Sequence, residues 1–206
     1  MSNPKYLACD TETGGLDPRV NPLLTAYFLL LDEDFAKVDD LSLAIIPNGQ
    51  YVVLTEEAMK VNGINIDEHR KTALLPIEAA KQLQEFLKKH KVGNSKLTAL
   101  GQNFEFDRGF LFEQLVPQEA WNKYCIRGYL DTKRIMDFMV DIGMYPSDMT
   151  SLEKSVNYLE IEKLGHHDAK NDVIMTIEVY KKLRNMIKNA TLNAGQIDQS
   201  LLESIE

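Results

Sequence analysis

Three short segments of the chain carry carboxylates, and in one case histidines, at spacings that suit chemistry on phosphate. The first is Asp10-Thr11-Glu12, followed by Thr13-Gly14-Gly15-Leu16. On a strand, residues two apart face the same side, so Asp10 and Glu12 stand side by side. Neighbouring carboxylates repel, and a hard divalent cation such as Mg²⁺ or Mn²⁺ relieves that repulsion, because it selects oxygen ligands and is often shared with substrate phosphate. A strand end turning into solvent with two hydrated acids is the plainer alternative. Gly14-Gly15 leans toward a site, since glycine lets a ligand approach the backbone closely.

The second segment is Asn103-Phe104-Glu105-Phe106-Asp107, where a strand feeds a helix. Asn103 suits the N-cap, Phe106, Phe110 and Leu111 suit the buried face, and Asp107 lies about one turn in. Taken alone, an acid at that place is equally explained by the helix dipole. The third is Gly165-His166-His167-Asp168-Ala169-Lys170-Asn171-Asp172. Asp172 leans toward the face that Val173 and Ile177 bury, which aims it at a sheet. His167, five residues earlier, can swing toward the same point, and neutral imidazole is the natural proton acceptor near pH 7. The alternative makes Asp168 the cap, Asp172 a first-turn acid and both histidines a solvated loop. Jointly the segments say more than any one does, because each acid falls at a strand end or helix start, where an α/β sheet builds its site.

The elements that must position these groups follow from hydrophobic periodicity. Tyr6–Asp10 is apolar on both alternating faces, as a strand buried between layers should be, and Leu23–Leu31 and Leu41–Pro47 are its partners. Asp32–Asp34 and Asp39–Asp40 read as turns. Ile77, Ala80, Leu83 and Leu87 recur at helical spacing in Ile77–Lys89. Leu97–Gly101 reads as a strand entering a helix near Phe104–Leu115, and a short strand at Tyr129–Leu130 leads to a helix from Thr132 to about Val140. Thr150-Ser151-Leu152-Glu153 has the spacing of a capping box. A long helix runs from about Asp168 to Lys188, with Val173, Ile177, Tyr180, Leu183 and Ile187 as its buried stripe. The class is α/β.

Composition sets the outer limits. In 206 residues, 23 Lys+Arg face 31 Asp+Glu, a net charge of −8, and 44% of residues are hydrophobic. That supports one compact domain, expected over residues 1–190, with 191–206 as a tail that is either a short helix, along Ile197, Leu201, Leu202 and Ile205, or disordered. No apolar run nears the roughly 18 residues that span a bilayer, and Met1–Lys5 lacks the pattern of a secretory signal, so a cytoplasmic protein without a membrane partner is expected. Cys9 and Cys125 are too few for a disulfide scaffold. The acidic balance excludes grip on nucleic acid by bulk positive charge, and leaves attraction through cations held by local carboxylates.

The order Asp-x-Glu, Asn-x-x-x-Asp, His-x-x-x-x-Asp resembles the DEDD exonucleases of the His-containing branch, the superfamily of the bacterial proofreading epsilon subunit, ribonuclease T and oligoribonuclease. Supporting matches run along about residues 5–188. Ala8-Cys9-Asp10-Thr11-Glu12-Thr13-Gly14-Gly15-Leu16 looks like the first motif of that family, and Leu130-Asp131-Thr132 looks like the Asp-Thr after its second. Lys60-Val61-Asn62-Gly63-Ile64 resembles its His-Gly-Ile segment, with Asn62 where His is usual. Ser151–Ile161 followed by His167-x-Ala169-x-x-Asp172-x-x-x-Thr176 looks like its closing helix pair.

The resemblance implies a ribonuclease H-like fold with a central mixed five-stranded sheet flanked by helices. It implies a 3′-5′ exonuclease that releases nucleoside 5′-monophosphates with two Mg²⁺ or Mn²⁺ ions per site. Position by position, Asp10, Glu12, Asp107 and Asp172 would hold the metals and His167 would take the proton of the attacking water. His166 lacks the four-residue spacing to Asp172. Thr13, Gly14 and Leu16 would contact the terminal nucleotide, Leu16 by wedging against the last base. Asn103 and Phe106 complete the substrate-binding set, with a role in the fold standing beside it, and Asp131 is read as structural. Single-stranded DNA 3′ ends are the favoured substrate. RNA of the oligoribonuclease or ribonuclease T kind is the rival within the enzyme class, and a subunit or binding module serving a polymerase or replication partner is the rival outside it.

Overall fold

The computed structural model describes residues 3–165 and 168–203, with side chains through residue 192. Its centre is β1 (Tyr6–Thr13), whose residues from Tyr6 to Cys9 are all buried, as the two-sided apolar pattern requires. β2 (Leu23–Leu31) pairs antiparallel along the full length of β1, from Tyr6 opposite Leu31 to Thr13 opposite Leu23, and β3 (Lys37–Ala44) pairs antiparallel with β2. The chain then forms α1 (Glu56–Asn62), α2 (Ile66–Thr72) and α3 (Pro76–Lys89) before β4 (Leu97–Gly101) enters parallel to β1 on its free side. A parallel neighbour needs such a crossover. α4 (Phe104–Gln114) and the short α5 (Gln118–Trp121) lead to β5 (Cys125–Asp131), parallel to β4. α6 (Thr132–Asp141), α7 (Leu152–Tyr158) and α8 (Ala169–Glu203) close the chain. The sheet order is β3-β2-β1-β4-β5, a mixed five-stranded sheet flanked by helices, as the resemblance implied.

Alternation along β1 decides what each helix layer covers. Leu7 and Cys9 pack with Leu83 and Leu87 of α3 and Phe104, Phe110 and Leu111 of α4. Tyr6 and Ala8 pack with Ala169, Val173 and Ile177 of α8. Even-numbered residues of β1 therefore face α8, and Asp10 and Glu12 continue that row beyond the apolar patch.

Where the structure departs from the sequence pattern, the cause is local. β3 begins at Lys37 and includes Asp39 and Asp40, expected as a turn. It is an edge strand, and its acids find partners: Tyr27 Oη donates to Asp40 at 2.9 Å, and Lys89 and His90 approach Asp39 at 2.8 and 2.7 Å. Ile77 is 75% exposed, and the buried stripe of α3 is Ala79, Leu83, Phe86 and Leu87. Ile187 is likewise exposed, because the packed part of α8 ends near Leu183. The helix continues past 188, and residues 191–203 belong to it. The expected stripe of Ile197, Leu201, Leu202 and Ile205 lies outside the described side chains. Ser151 is the N-cap of α7, its hydroxyl accepting Lys154 N–H. β5 is longer than the two residues expected.

Asn103 occupies the N-cap position of α4 with left-handed backbone, φ 55°, a conformation asparagine tolerates, but its side chain caps nothing. The capping comes from Asp131 at the end of β5. One carboxylate oxygen accepts Asn103 N–H and Lys133 N–H, both at 2.9 Å, and the other accepts Phe104 N–H at 3.0 Å. This single buried carboxylate serves the first turns of both α4 and α6, and each such charge-assisted hydrogen bond contributes roughly 1.5–3 kcal/mol. Its structural reading stands. Cys9 and Cys125 are buried free thiols, and burial pushes Cys125 up to about 12. No helix among the described residues is long and apolar enough to cross a membrane.

Candidate active site

The site forms where β1 outruns β4. Pairing between them stops at Ala8 opposite Leu100, so the last five residues of β1 have no strand on that side. Thr11 N–H lies beyond the last β1 residue paired with β4 and takes its acceptor from elsewhere. Asp107, from the first turn of α4, supplies the acceptor. Its Oδ1 takes Thr11 N–H at 2.9 Å and Thr11 Oγ1 at 2.7 Å. Asp107 is 3% exposed and reaches Thr11 from the α4 face, opposite the row of Asp10 and Glu12.

On the other face α8 contributes Asp172. Asp168 stands before the first turn, with Oδ1 accepting Lys170 N–H at 3.2 Å and its C=O accepting Asp172 N–H at 3.0 Å. The alternative that made Asp168 a cap and the reading that aims Asp172 at the sheet are thus compatible. Asp10, Glu12 and Asp172, all half-buried, each offer a carboxylate oxygen, and these oxygens lie within 4.8 Å of one another. A register shift between Glu12 and Thr13 ends the regular ladder beside them, as bulges near sites often do.

Such a cluster resists ionisation when no cation is present. Burial and then the charge of Asp172, with Asp107 and Asp168 behind it, push Glu12 up to about 7. Asp10 is raised well above the usual carboxylate range, first by burial and then by Asp107, Asp172, Glu12 and Asp168. Burial also carries Asp107 up to about 7, against the two Thr11 hydrogen bonds that pull it down. A set of hard oxygen donors whose charges repel is the donor chemistry that Mg²⁺ or Mn²⁺ fits.

A pH signature follows. Between the ordinary value of 4.5 and about 7, the folded protein holds a proton on Glu12 that the unfolded chain has released, so stability falls as pH rises through this window. A cation held by the ionised cluster would offset the loss and displace those protons. The rise in Tm on adding Mn²⁺ should therefore be larger at pH 8 than at pH 5. Thermal melts in chelator and in Mn²⁺ across that range measure it, and an increment independent of pH would contradict it.

Beside Glu12 a groove of about 560 Å³, open to solvent, runs between the end of β1 and α1. Thr11, Thr13, Gly15 and Leu16 line one side, Thr55, Ala58, Val61 and Asn62 the other, and Phe106 reaches it from α4. Leu16 stands at its rim, 82% exposed. Gly14 and Gly15 have a reason beyond access for a ligand: a Cβ on Gly14 would come within 2.6 Å of Pro22, and one on Gly15 within 2.4 Å of Asn21. Thr13 Oγ1 is turned inward and donates to Gly15 C=O at 2.7 Å. Asn103, by contrast, does not line the groove. His166 and His167 lie outside the described residues. Sequence reasoning missed Thr11 as the anchor of Asp107 and Asp168 as a fifth nearby charge; the alternation that set Thr11 between two acids was its only signal.

No protein-family model matches the chain. A PolC-type DNA polymerase III from Thermotoga petrophila is 22% identical over 208 residues, covering the whole of this chain and 14% of the polymerase. Among solved structures, E. coli exonuclease I in complex with a dT13 oligonucleotide superposes with a TM-score of 0.75 at 19% identity, over 92% of this chain and 43% of that one. The zinc-bound form of an E. coli exonuclease I complex with single-stranded DNA gives 0.71 at 19% identity, over 90% and 41%. The chain thus spans less than half the length of these proteins. The fold shared with these structures is that of exonuclease I.

Proposed function

We propose that this chain is a metal-dependent 3′-5′ exonuclease of the DEDD superfamily, in its His-containing branch, acting on single-stranded DNA ends and releasing nucleoside 5′-monophosphates. The observation that carries the reading is the meeting of Asp10, Glu12 and Asp172 within 4.8 Å at the mouth of a groove that can hold a nucleotide.

Asp10, Glu12 and Asp172 would hold Mg²⁺ or Mn²⁺, with Asp107 supporting the set from behind β1. Two such ions, when bound, supply charge stabilisation for the attacking and leaving oxygens of an in-line displacement. Around them the chain does the remaining work. The groove wall of Thr13 and Leu16 seats the terminal nucleotide, with Gly14, which does not itself line the groove, shaping the turn between them, and the exposed Leu16 side chain packs against the last base. Phe106 forms the groove's other apolar contact with it. Asn103 acts through the fold, by placing the first turn of α4. His167 accepts the proton of the attacking water. The net charge of −8 supports a short single-stranded 3′ end over a long duplex, since no broad basic surface would grip one. The polymerase relative supports a replication partner, with residues 1–190 as the catalytic domain and 191–206 as an appended tail.

Matched 3′-end-labelled single-stranded DNA, duplex DNA and short RNA, digested with Mg²⁺ or Mn²⁺, test the reading. Mononucleotide release is expected to be fastest from single-stranded DNA and to stop in chelator. Faster release from RNA would move the enzyme to the oligoribonuclease type, and release from none would leave a binding module.

A further inference from the structure

We propose that Asn62 is a positioning residue, whose side-chain amide fixes the Thr13–Gly15 turn so that its carbonyls stay engaged within the chain and none of the three is left free toward a phosphate-bearing strand. It is the last residue of α1, at the position where the sequence departs from its resemblance. Its Nδ2 donates to Thr13 C=O at 3.0 Å, and its Oδ1 accepts Ile64 N–H at 3.0 Å, so both halves of the amide are engaged and its orientation is set.

The neighbouring bonds show what this accomplishes. Thr55 N–H, at the other end of α1, donates to Gly14 C=O at 2.7 Å, and Thr13 Oγ1 donates to Gly15 C=O at 2.7 Å. Three successive loop carbonyls, at 13, 14 and 15, are thus claimed by donors of this chain. Gly14 N–H is spent on Pro22 C=O at 2.8 Å. Among the described residues no acceptor of this chain takes the N–H of Gly15 or Leu16, so from residue 13 to 15 the carbonyls are engaged while donors remain. A carbonyl freed there would repel an anionic substrate. α1 buries none of its residues, and the bonds at its two ends, from Thr55 and Asn62, tie it to the loop. The loop has little room to settle elsewhere, with Gly14 against Pro22 and Gly15 against Asn21.

The inference rests on the exonuclease reading for its kinetics, and an independent measurement of the loop keeps the two separable. Asn62→Asp retains the acceptor for Ile64 N–H and loses only the donor, while Asn62→Ala loses both. Loss of this one hydrogen bond on a substrate-seating wall should raise KM for a 3′ single-stranded oligonucleotide about tenfold in Asn62→Ala, and further in Asn62→Asp. kcat should stay within about twofold of wild type, because a binding contact common to ground and transition states leaves it unchanged. Amide hydrogen exchange at Gly14 and Thr55 should quicken about tenfold in both variants while β1 stays protected. An unchanged KM, or a fall in kcat at constant KM, overturns the inference. Should wild-type protein release no nucleotide from any substrate, the exonuclease reading fails and exchange decides alone: unchanged protection at Gly14 and Thr55 then overturns the role of Asn62.

Discussion

Asp10→Ala should release mononucleotides at least roughly 10³-fold more slowly than wild type, a loss of about 4 kcal/mol of transition-state stabilisation, while melting no lower than wild type in chelator at pH 8. The two halves of this result come from one cause. Asp10 shares the ligand cluster with Glu12 and Asp172 and also feels Asp107 and Asp168. It is the carboxylate on which most of the repulsion converges. Without it, Glu12 and Asp172 are left as two carboxylates of a three-ligand set. The same deletion removes a half-buried charge that the metal-free fold tolerates poorly, so stability should hold or improve, as when a strained functional group is removed. Activity and chelator melts on one preparation check both halves. Full activity in Asp10→Ala would sink the site, and loss of folding would show that the carboxylate serves structure.

Much of this was legible because it depends on local periods. Two-residue alternation put Asp10 and Glu12 on one face of β1, and a 3.6-residue period put Asp172 on the face of α8 that Val173 and Ile177 bury. What was not legible depends on where another element stops. Asp107 finds Thr11, and not a place in the ligand trio, because β4 ends short and leaves Thr11 N–H open. Nothing in residues 103–107 carries that information. Asp131 caps α4 from 27 and 28 residues away, so the Asn103 cap suggested by residue type alone gave way to a stronger acceptor. β3 slipped for a related reason: Asp39 looks like a turn until Lys89 and His90, 50 and 51 residues on, close over it. α1 and α2 bury no residue, so no apolar stripe announced them.

The second large effect concerns His167, and the case for it is chemical. With cations bound, the oxygens of Asp10, Glu12 and Asp172 would be engaged as ligands, and Asp107 is already committed to Thr11, so the acids around the site are poor acceptors for the proton of a water that attacks phosphate. The segment that opens α8 supplies the remaining candidates, His166 and His167, next to the Asp168 that begins the helix carrying Asp172. Of the two, His167 has the spacing to Asp172 that the resemblance requires. His167→Ala should lower kcat by about 10²–10⁴, the usual contribution of a positioned base, with the cation dependence of Tm unchanged because no ligand is lost. At saturating Mg²⁺ or Mn²⁺ the carboxylates are held ionised, so the acid limb of the wild-type kcat profile should belong to the histidine and should flatten in His167→Ala. His166→Ala should retain both rate and limb. An equal loss in His166→Ala with none in His167→Ala would move the base to the neighbouring residue, and an acid limb that survives both substitutions would remove histidine from the proton transfer altogether.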